Sequence, residues 1–205
     1  ARVFPNLCVL QLGGNQIASV ASLQLGRLTG LRSLFLQGND IARLDGLSGL
    51  VMLQELVLDR NRIRALDPDA LAGLPSLREL RLEENGLRSL VGLHHLTSLQ
   101  ALHLGYNRIA EASDLDRLEP LASLVEVTLS NNPVARKQTY RAILINRCAA
   151  LSVIDGSPIS LEEREYAEQL FAPPADAGAL MQQMLSGGTG GRGAPGAAAG
   201  PVPLA

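Results

Sequence analysis

The sequence predicts an α/β repeat solenoid: a curved array with a parallel β-sheet on its concave side, turns and 3₁₀ segments on its convex side, and a helical C-terminal cap. Three observations predict it. A frame Leu-x-x-Leu-x-Leu-x-x-Asn-x-Ile recurs six times in phase, with successive starts 24, 22, 24, 22 and 25 residues apart. Leucine supplies 40 of the 205 residues, whereas Trp is absent and Phe and Tyr number three each, so one side chain builds the interior in layers. The last copy then runs into segments with helical spacing and helix-start residues.

The copies are Leu7/Leu10/Leu12/Asn15/Ile17, Leu31/Leu34/Leu36/Asn39/Ile41 and Leu53/Leu56/Leu58/Asn61/Ile63, then Leu77/Leu80/Leu82/Asn85/Leu87, Leu99/Leu102/Leu104/Asn107/Ile109 and Leu124/Val127/Leu129/Asn132/Val134. Within Leu-x-Leu the leucines alternate with an outward residue, the period of a short strand. The second half of a repeat, as in Leu44-x-x-Leu47-x-x-Leu50, has turn or 3₁₀ spacing and returns the chain along the convex side. One repeat cannot bury its leucines alone; stacking makes the core continuous. The recurring Asn is expected inside the turn, its amide pairing backbone groups that would otherwise be buried unsatisfied.

After Asn132-Pro133 a helix is expected over Ala135–Cys148, with Tyr140, Ile143 and Leu144 on one side. Leu151-x-x-Ile154-Asp155-Gly156 follows, then a second helix from Ser160, whose Ser160 and Glu163 have capping-box spacing. This set of motifs resembles the leucine-rich repeat family over residues 4 to about 171, specifically the 22-residue class of the nuclear protein phosphatase 1 regulator and of axonemal leucine-rich repeat proteins. The order Asn-Pro, Tyr140-Arg141, Leu-x-x-Ile-Asp-Gly and Glu163-Arg164 is similar to that class's C-terminal cap, with Ala150 where the family often has Pro. The expected divisions are residues 1–132 for the repeats, 133–171 for the cap and 172–205 for an Ala/Gly/Pro-rich tail. In that tail, Leu180, Met181, Met184 and Leu185 are expected on one short amphipathic turn, with disorder from Ser186. At the other end Phe4-Pro5-Asn6-Leu7 matches Leu74-Pro75-Ser76-Leu77 inside the array, so the array is expected to continue upstream.

The repeat frame also assigns faces. Outward strand positions Gln11, Phe35, Val57, Arg81, His103 and Thr128 line the concave surface, the usual binding face of a solenoid. Glu55, Asp59, Glu79, Glu83, Glu84 and Glu126 flank them, against Arg32, Arg60 and Arg78. The expectation is an acidic field beside the apolar pair Phe35 and Val57, with Tyr106 further along, as in a protein-binding hot spot. A basic edge is expected just after the Asn turns, from Arg43, Arg62, Arg64, Arg88 and Arg108, extended onto the cap by Arg136, Lys137 and Arg141. Such a stripe fits an acidic partner such as a tubulin tail or an RNA backbone, but a solvated face supporting solubility is the favoured reading.

Catalysis is not expected. Cys8 and His103 lie four repeats apart, about 19 Å at about 4.8 Å per strand, too far for a dyad. His94 and His95 lack a neighbouring ligand pattern, Glu83 and Glu84 point differently, and neither a phosphate-binding glycine loop nor a Ser/His/Asp grouping occurs. No cofactor and no metal are expected. Two cysteines make no disulfide framework, no 18-residue apolar run crosses a membrane, and a net charge of −2 gives no global reason for nucleic-acid binding.

What the resemblance implies about function is a choice. Caps and repeats of this class occur in phosphatase regulators, in a spliceosomal subunit and in ciliary and axonemal proteins. The expectation is an intracellular, cytoplasmic protein-interaction scaffold in a cilium, flagellar axoneme or other cytoskeletal assembly, with tubulin or axonemal partners and nucleic acid disfavoured. A phosphatase regulatory subunit is the alternative, and a ribonucleoprotein component the third.

Overall fold

The computed structural model describes Phe4 and residues 6–172. The tail turn expected at 179–185 therefore lies outside the described residues, as does the disorder expected beyond it.

Six strands, one per copy of the frame, form the concave sheet: β1 (Val9–Gln11), β2 (Ser33–Phe35), β3 (Glu55–Val57), β4 (Glu79–Arg81), β5 (Ala101–His103) and β6 (Glu126–Thr128). Each pairs in parallel with the next, and the register follows the repeat frame: Leu10, Leu34, Leu56, Leu80, Leu102 and Val127 stand opposite one another along the sheet. The predicted leucine-rich repeat solenoid is the fold. From Leu34 to Leu129 the frame leucines are buried beneath the sheet, and the convex leucines meet them from the other side. The convex return is 3₁₀ in the first repeat (Ala21–Leu23 and Leu25–Arg27) and the fifth (Ala112–Leu118), and turns elsewhere.

The asparagine ladder does what the spacing predicts. Asn61 Nδ2 donates to the carbonyls of Leu36 (3.0 Å) and Leu58 (2.9 Å), while its Oδ1 accepts from Ile41 N–H (3.1 Å). Asn39, Asn85, Asn107 and Asn132 repeat this pattern, each joining its own turn to the preceding repeat. Asn15, at the end of the described array, is exposed and bonds only within its own turn.

The cap differs from expectation in its first helix. Pro133–Arg136 forms a 3₁₀ turn, Lys137 is extended (ψ 132°), and only Tyr140–Arg147 is α-helix (α1). Lys137 N–H bonds the Val134 carbonyl, closing the short turn, so the chain leaves the helical path before re-entering it. A short strand β7 (Val153–Ile154) continues the sheet in parallel from β6, and β8 (Ser157–Pro158) folds back antiparallel. Helix α2 (Leu161–Phe171) opens on the expected capping box, with Glu163 N–H on Ser160 Oγ at 3.2 Å and Ser160 N–H on Glu163 Oε2 at 3.0 Å.

Asp155 finishes the array. Its Oδ1 accepts from Leu129 N–H (2.7 Å) and Ser130 N–H (2.8 Å), and its Oδ2 from the Tyr140 hydroxyl (2.8 Å). Burial, and then the charge of Asp155, push the Tyr140 phenol well above its ordinary range, so it stays a donor. Arg141 is drawn inward: it holds Glu163 through Nε (2.6 Å) and Nη2 (3.1 Å) and donates to the Ile154 carbonyl (3.0 Å). The expected extension of the basic edge onto the cap therefore loses Arg141, which is engaged in joining α1 to α2.

Candidate functional site

The parallel register lines up the outward side chains in rows. Gln11, Phe35, Val57, Arg81, His103 and Thr128 form the central row; Glu55, Glu79, Ala101 and Glu126 stand in the row beside it. Of the expected apolar pair, Phe35 is half-buried, but Val57 is only 6% exposed. Standing in register between the larger Phe35 and Arg81, Val57 is covered, and the apolar centre is narrower than the sequence predicts.

Arg81 organises the acidic field. Its Nε lies 3.1 Å from Asp59 Oδ2, Nη2 3.8 Å from Glu83 Oε2 and Nη1 4.0 Å from Glu79 Oε1. Burial works against its charge, but Asp59 first, then Glu83 and Glu79, outweigh this and raise its pKa. Asp59 Oδ1 also accepts from Glu83 N–H at 2.8 Å, fixing the loop after β4. His103 sits with Nδ1 3.3 Å from Thr128 Oγ1 and Nε2 3.9 Å from Glu79. Glu55 and Glu126 make no ion pair among the described residues, and neither do Arg32 and Arg78; the acidic excess of the face lies in the three carboxylates around the single Arg81.

What sequence reasoning missed is the backbone of one column along this face. The residue before each ladder Asn has left-handed backbone: Gly14 (φ 71°), Gly38 (68°), Arg60 (56°), Glu84 (52°), Tyr106 (57°) and Asn131 (58°). Glycine takes this conformation without penalty; other L-residues do not. Four of the six positions carry a side chain nevertheless. Arg60 and Glu84 pair at 2.9 Å, and Tyr106 stands 60% exposed beside them. Strained non-glycine residues gather where their side chains are used. The signal was present in the sequence, because Gly14 and Gly38 occupy the same frame position as Arg60, Glu84 and Tyr106.

The basic edge lies beyond the Asn turns. Arg62 pairs with Asp40 at 2.7 Å and Arg43 with Asp67 at 3.2 Å. Arg64, Arg88 and Arg108 are exposed and form no ion pair among the described residues. Together with Arg62, Asn61, Asn85 and Gly86 they line a depression of about 200 Å³.

The remaining reactive groups stay apart. Cys8 is exposed; Cys148 is buried in the cap, where burial, and then Glu119, push its thiol up to about 11, a poor nucleophile. The His94 and His95 rings lie 3.9 Å apart between centroids, tilted by 41°, and His95 Nε2 lies 3.4 Å from Asp69 Oδ1, a carboxylate neighbour the spacing did not reveal. No group of three or more metal-ligating side chains occurs among the described residues.

Two models described as leucine-rich repeats match the chain, over residues 52–109 and 95–184. Among curated proteins it is 32% identical over 154 residues to U2 small nuclear ribonucleoprotein A' of Emericella nidulans, covering 75% of this chain and 57% of that protein. To the Schizosaccharomyces pombe protein of the same name it is 33% identical, over 65% of this chain and 46% of the other. The chain thus spans about half the length of these relatives. Among solved structures, a chain of the Drosophila melanogaster SNF/U2A' complex matches with a TM-score of 0.56 at 25% identity, covering 85% of this chain and 87% of that one. An internalin from Listeria monocytogenes matches with a TM-score of 0.58 at 25% identity, over 75% and 48%.

These relatives correct several expectations. They are named as ribonucleoprotein proteins, neither phosphatase regulators nor axonemal proteins, which overturns the cilium, flagellum, axoneme and cytoskeleton assignment. Tubulin partners, the disfavouring of nucleic acid and the cytoplasmic location fall with it. The physical reason is visible at the edge: a net charge of −2 averages an acidic concave face with a separate cationic depression.

Proposed function

We propose that this chain, whose fold is a leucine-rich repeat solenoid, serves as a non-catalytic structural subunit of a small nuclear ribonucleoprotein, working in the nucleus without a cofactor. The observation that carries this is the likeness to the SNF/U2A' complex chain, which spans 85% of this chain and so takes in repeats and cap together. The relatives named U2 small nuclear ribonucleoprotein A' support it.

In this function the 1–132 array offers its concave face to a protein partner, the 133–171 cap closes the core, and the tail from 173 lies outside the described residues. The partner-binding side chains are Phe35, Arg81, His103 and Tyr106 with Glu55, Asp59, Glu79, Glu83 and Glu84; Val57 acts as the covered floor between them. Their acidic balance fits a partner segment presenting basic and apolar side chains, and shape supplied by packed strands suits a rigid docking surface.

The test is precipitation of the tagged chain from nuclei of its source cells, with U2 small nuclear RNA quantified in the pellet. Enrichment by the wild type, lost in Glu83→Arg/Tyr106→Ala, is the expected result. A soluble, folded wild-type chain that brings down no U2 small nuclear RNA above an untagged control overturns the proposal.

A further inference from the structure

We propose that the depression on the ascending edge, lined by Arg62, Arg64, Arg88 and Arg108, is a binding site for the phosphodiester backbone of RNA. The inference rests on the ribonucleoprotein function above and adds a direct nucleic-acid contact on a surface separate from the concave face.

The site is shaped by one residue. Arg62, Gly86 and Arg108 occupy the same position, directly after the ladder Asn, in three successive repeats. Gly86 leaves open the space that an arginine fills on either side of it. Its backbone does not require glycine, because it lacks the positive φ of Gly14 or Gly38. Space is what it provides: a Cβ there would stand 3.3 Å from Arg64 Cγ, tighter than ordinary contact. Arg64 and Arg88, two residues further along their repeats, stand on the same side of the fold, and the result is a depression of about 200 Å³ walled by guanidinium groups.

Its chemistry is set by elimination among the lining groups. The Asn61 and Asn85 amides are consumed by the ladder, and Gly86 N–H is bonded to the Ile63 carbonyl at 2.9 Å. What remains for a ligand is the guanidinium groups, and only Arg62 among the four is tied to a carboxylate. The concave-face Arg81, by contrast, has three carboxylates within 4.0 Å. Guanidinium forks suit the paired oxygens of phosphate. No apolar or aromatic side chain lines the depression, so there is no pocket for peptide side chains and no platform for stacked bases. Charges set on successive repeats, about 4.8 Å apart at the sheet, track a linear polyanion without reading its sequence.

The experiment is fluorescence anisotropy of the full chain with a fluorescein-labelled RNA stem–loop of mixed sequence, between about 50 and about 200 mM salt. Arg64→Ala/Arg88→Ala/Arg108→Ala should weaken binding about tenfold or more at the low-salt end. It should also flatten the logarithmic salt dependence by about 0.9 for each phosphate no longer neutralised. Gly86→Arg adds a positive charge but fills the gap, and should nevertheless weaken binding, whereas a merely diffuse cationic surface would bind more tightly. Glu83→Arg/Tyr106→Ala should bind this RNA at least as well as wild type. The same affinity in the triple variant as in wild type overturns the proposal, as does poly-glutamate competing as effectively as unlabelled RNA, which assigns the site to an acidic protein. If the triple variant binds RNA normally while the wild type still enriches U2 small nuclear RNA from nuclei, the edge site fails and the subunit function stands.

Discussion

Arg60 Nε donates to Glu84 Oε1 across 2.9 Å, and both residues hold left-handed backbone, at φ 56° and 52°. An exposed ion pair is worth at most about 1 kcal/mol, whereas each non-glycine residue in this conformation costs about 1–2 kcal/mol. The pair therefore does not offset its backbone strain, and neither does Tyr106 beside it.

Tyr106→Gly should accordingly stabilise the fold by about 0.5–1 kcal/mol, the relieved strain less the entropy glycine loses on folding. Association with the ribonucleoprotein should fall in the same variant, because Tyr106 is the large exposed side chain of the column. Denaturant unfolding and nuclear precipitation measure the two effects. A variant less stable than wild type would show that the left-handed site carries no strain.

The ladder predicts a graded series. Asn107 is buried, donates to Leu82 and Leu104 carbonyls at 2.8 and 3.0 Å and accepts from Leu87 N–H at 3.0 Å. Removing the amide leaves those groups unpaired, so Asn107→Ala should cost about 1–3 kcal/mol per buried group orphaned. Asn15→Ala, exposed and bonded only within its own turn, should cost clearly less. Equal losses from the two substitutions would mean that the inter-repeat bond contributes nothing.

These contrasts show what was legible in the sequence. Leucine spacing dictates strands, register and core because burial acts on a whole column at once, and the Asn role follows from counting backbone groups. The capping box at Ser160 is local and was legible for the same reason. The break of the cap helix at Lys137 was not, since Ala135 to Cys148 has acceptable helical composition and the turn closes through backbone bonds alone. Nor was the role of Arg81, whose three carboxylates come from three strand or loop positions that only side-chain reach connects. The partner class was hidden for a further reason: composition sums charges that the fold separates onto two surfaces.

Leu80 lies fully buried at the middle of β4, with Leu56 and Leu102 opposite it on either side. Leu80→Ala should cost about 2–5 kcal/mol, since neighbours fixed in register cannot collapse into the cavity. Leu10, the same frame position in β1, is only partly buried, so Leu10→Ala should cost less. Unfolding free energies for the two variants, measured side by side, check this; the reverse order would contradict a core centred on the inner repeats.

Acid should loosen the cap. Glu163 is held below its ordinary value of 4.5, first by its hydrogen bond from Arg141, then by Ser160 N–H, against a smaller opposing effect of burial. A carboxylate whose folded pKa is depressed contributes its stability above the unfolded value and loses it as pH falls through the folded one. The contribution is therefore complete near neutrality and declines below about pH 4.5. Glu163→Gln should melt below wild type at neutral pH, and the gap should narrow as pH falls toward about 3. The pair is about a third exposed, 30% and 35% for Arg141 and Glu163, so added salt should shrink the neutral-pH gap as well. Thermal melting of both proteins across this range decides it: a gap constant with pH would mean that Glu163 acts only through the shape of the capping box, and that Arg141 joins the two cap helices without help from its charge.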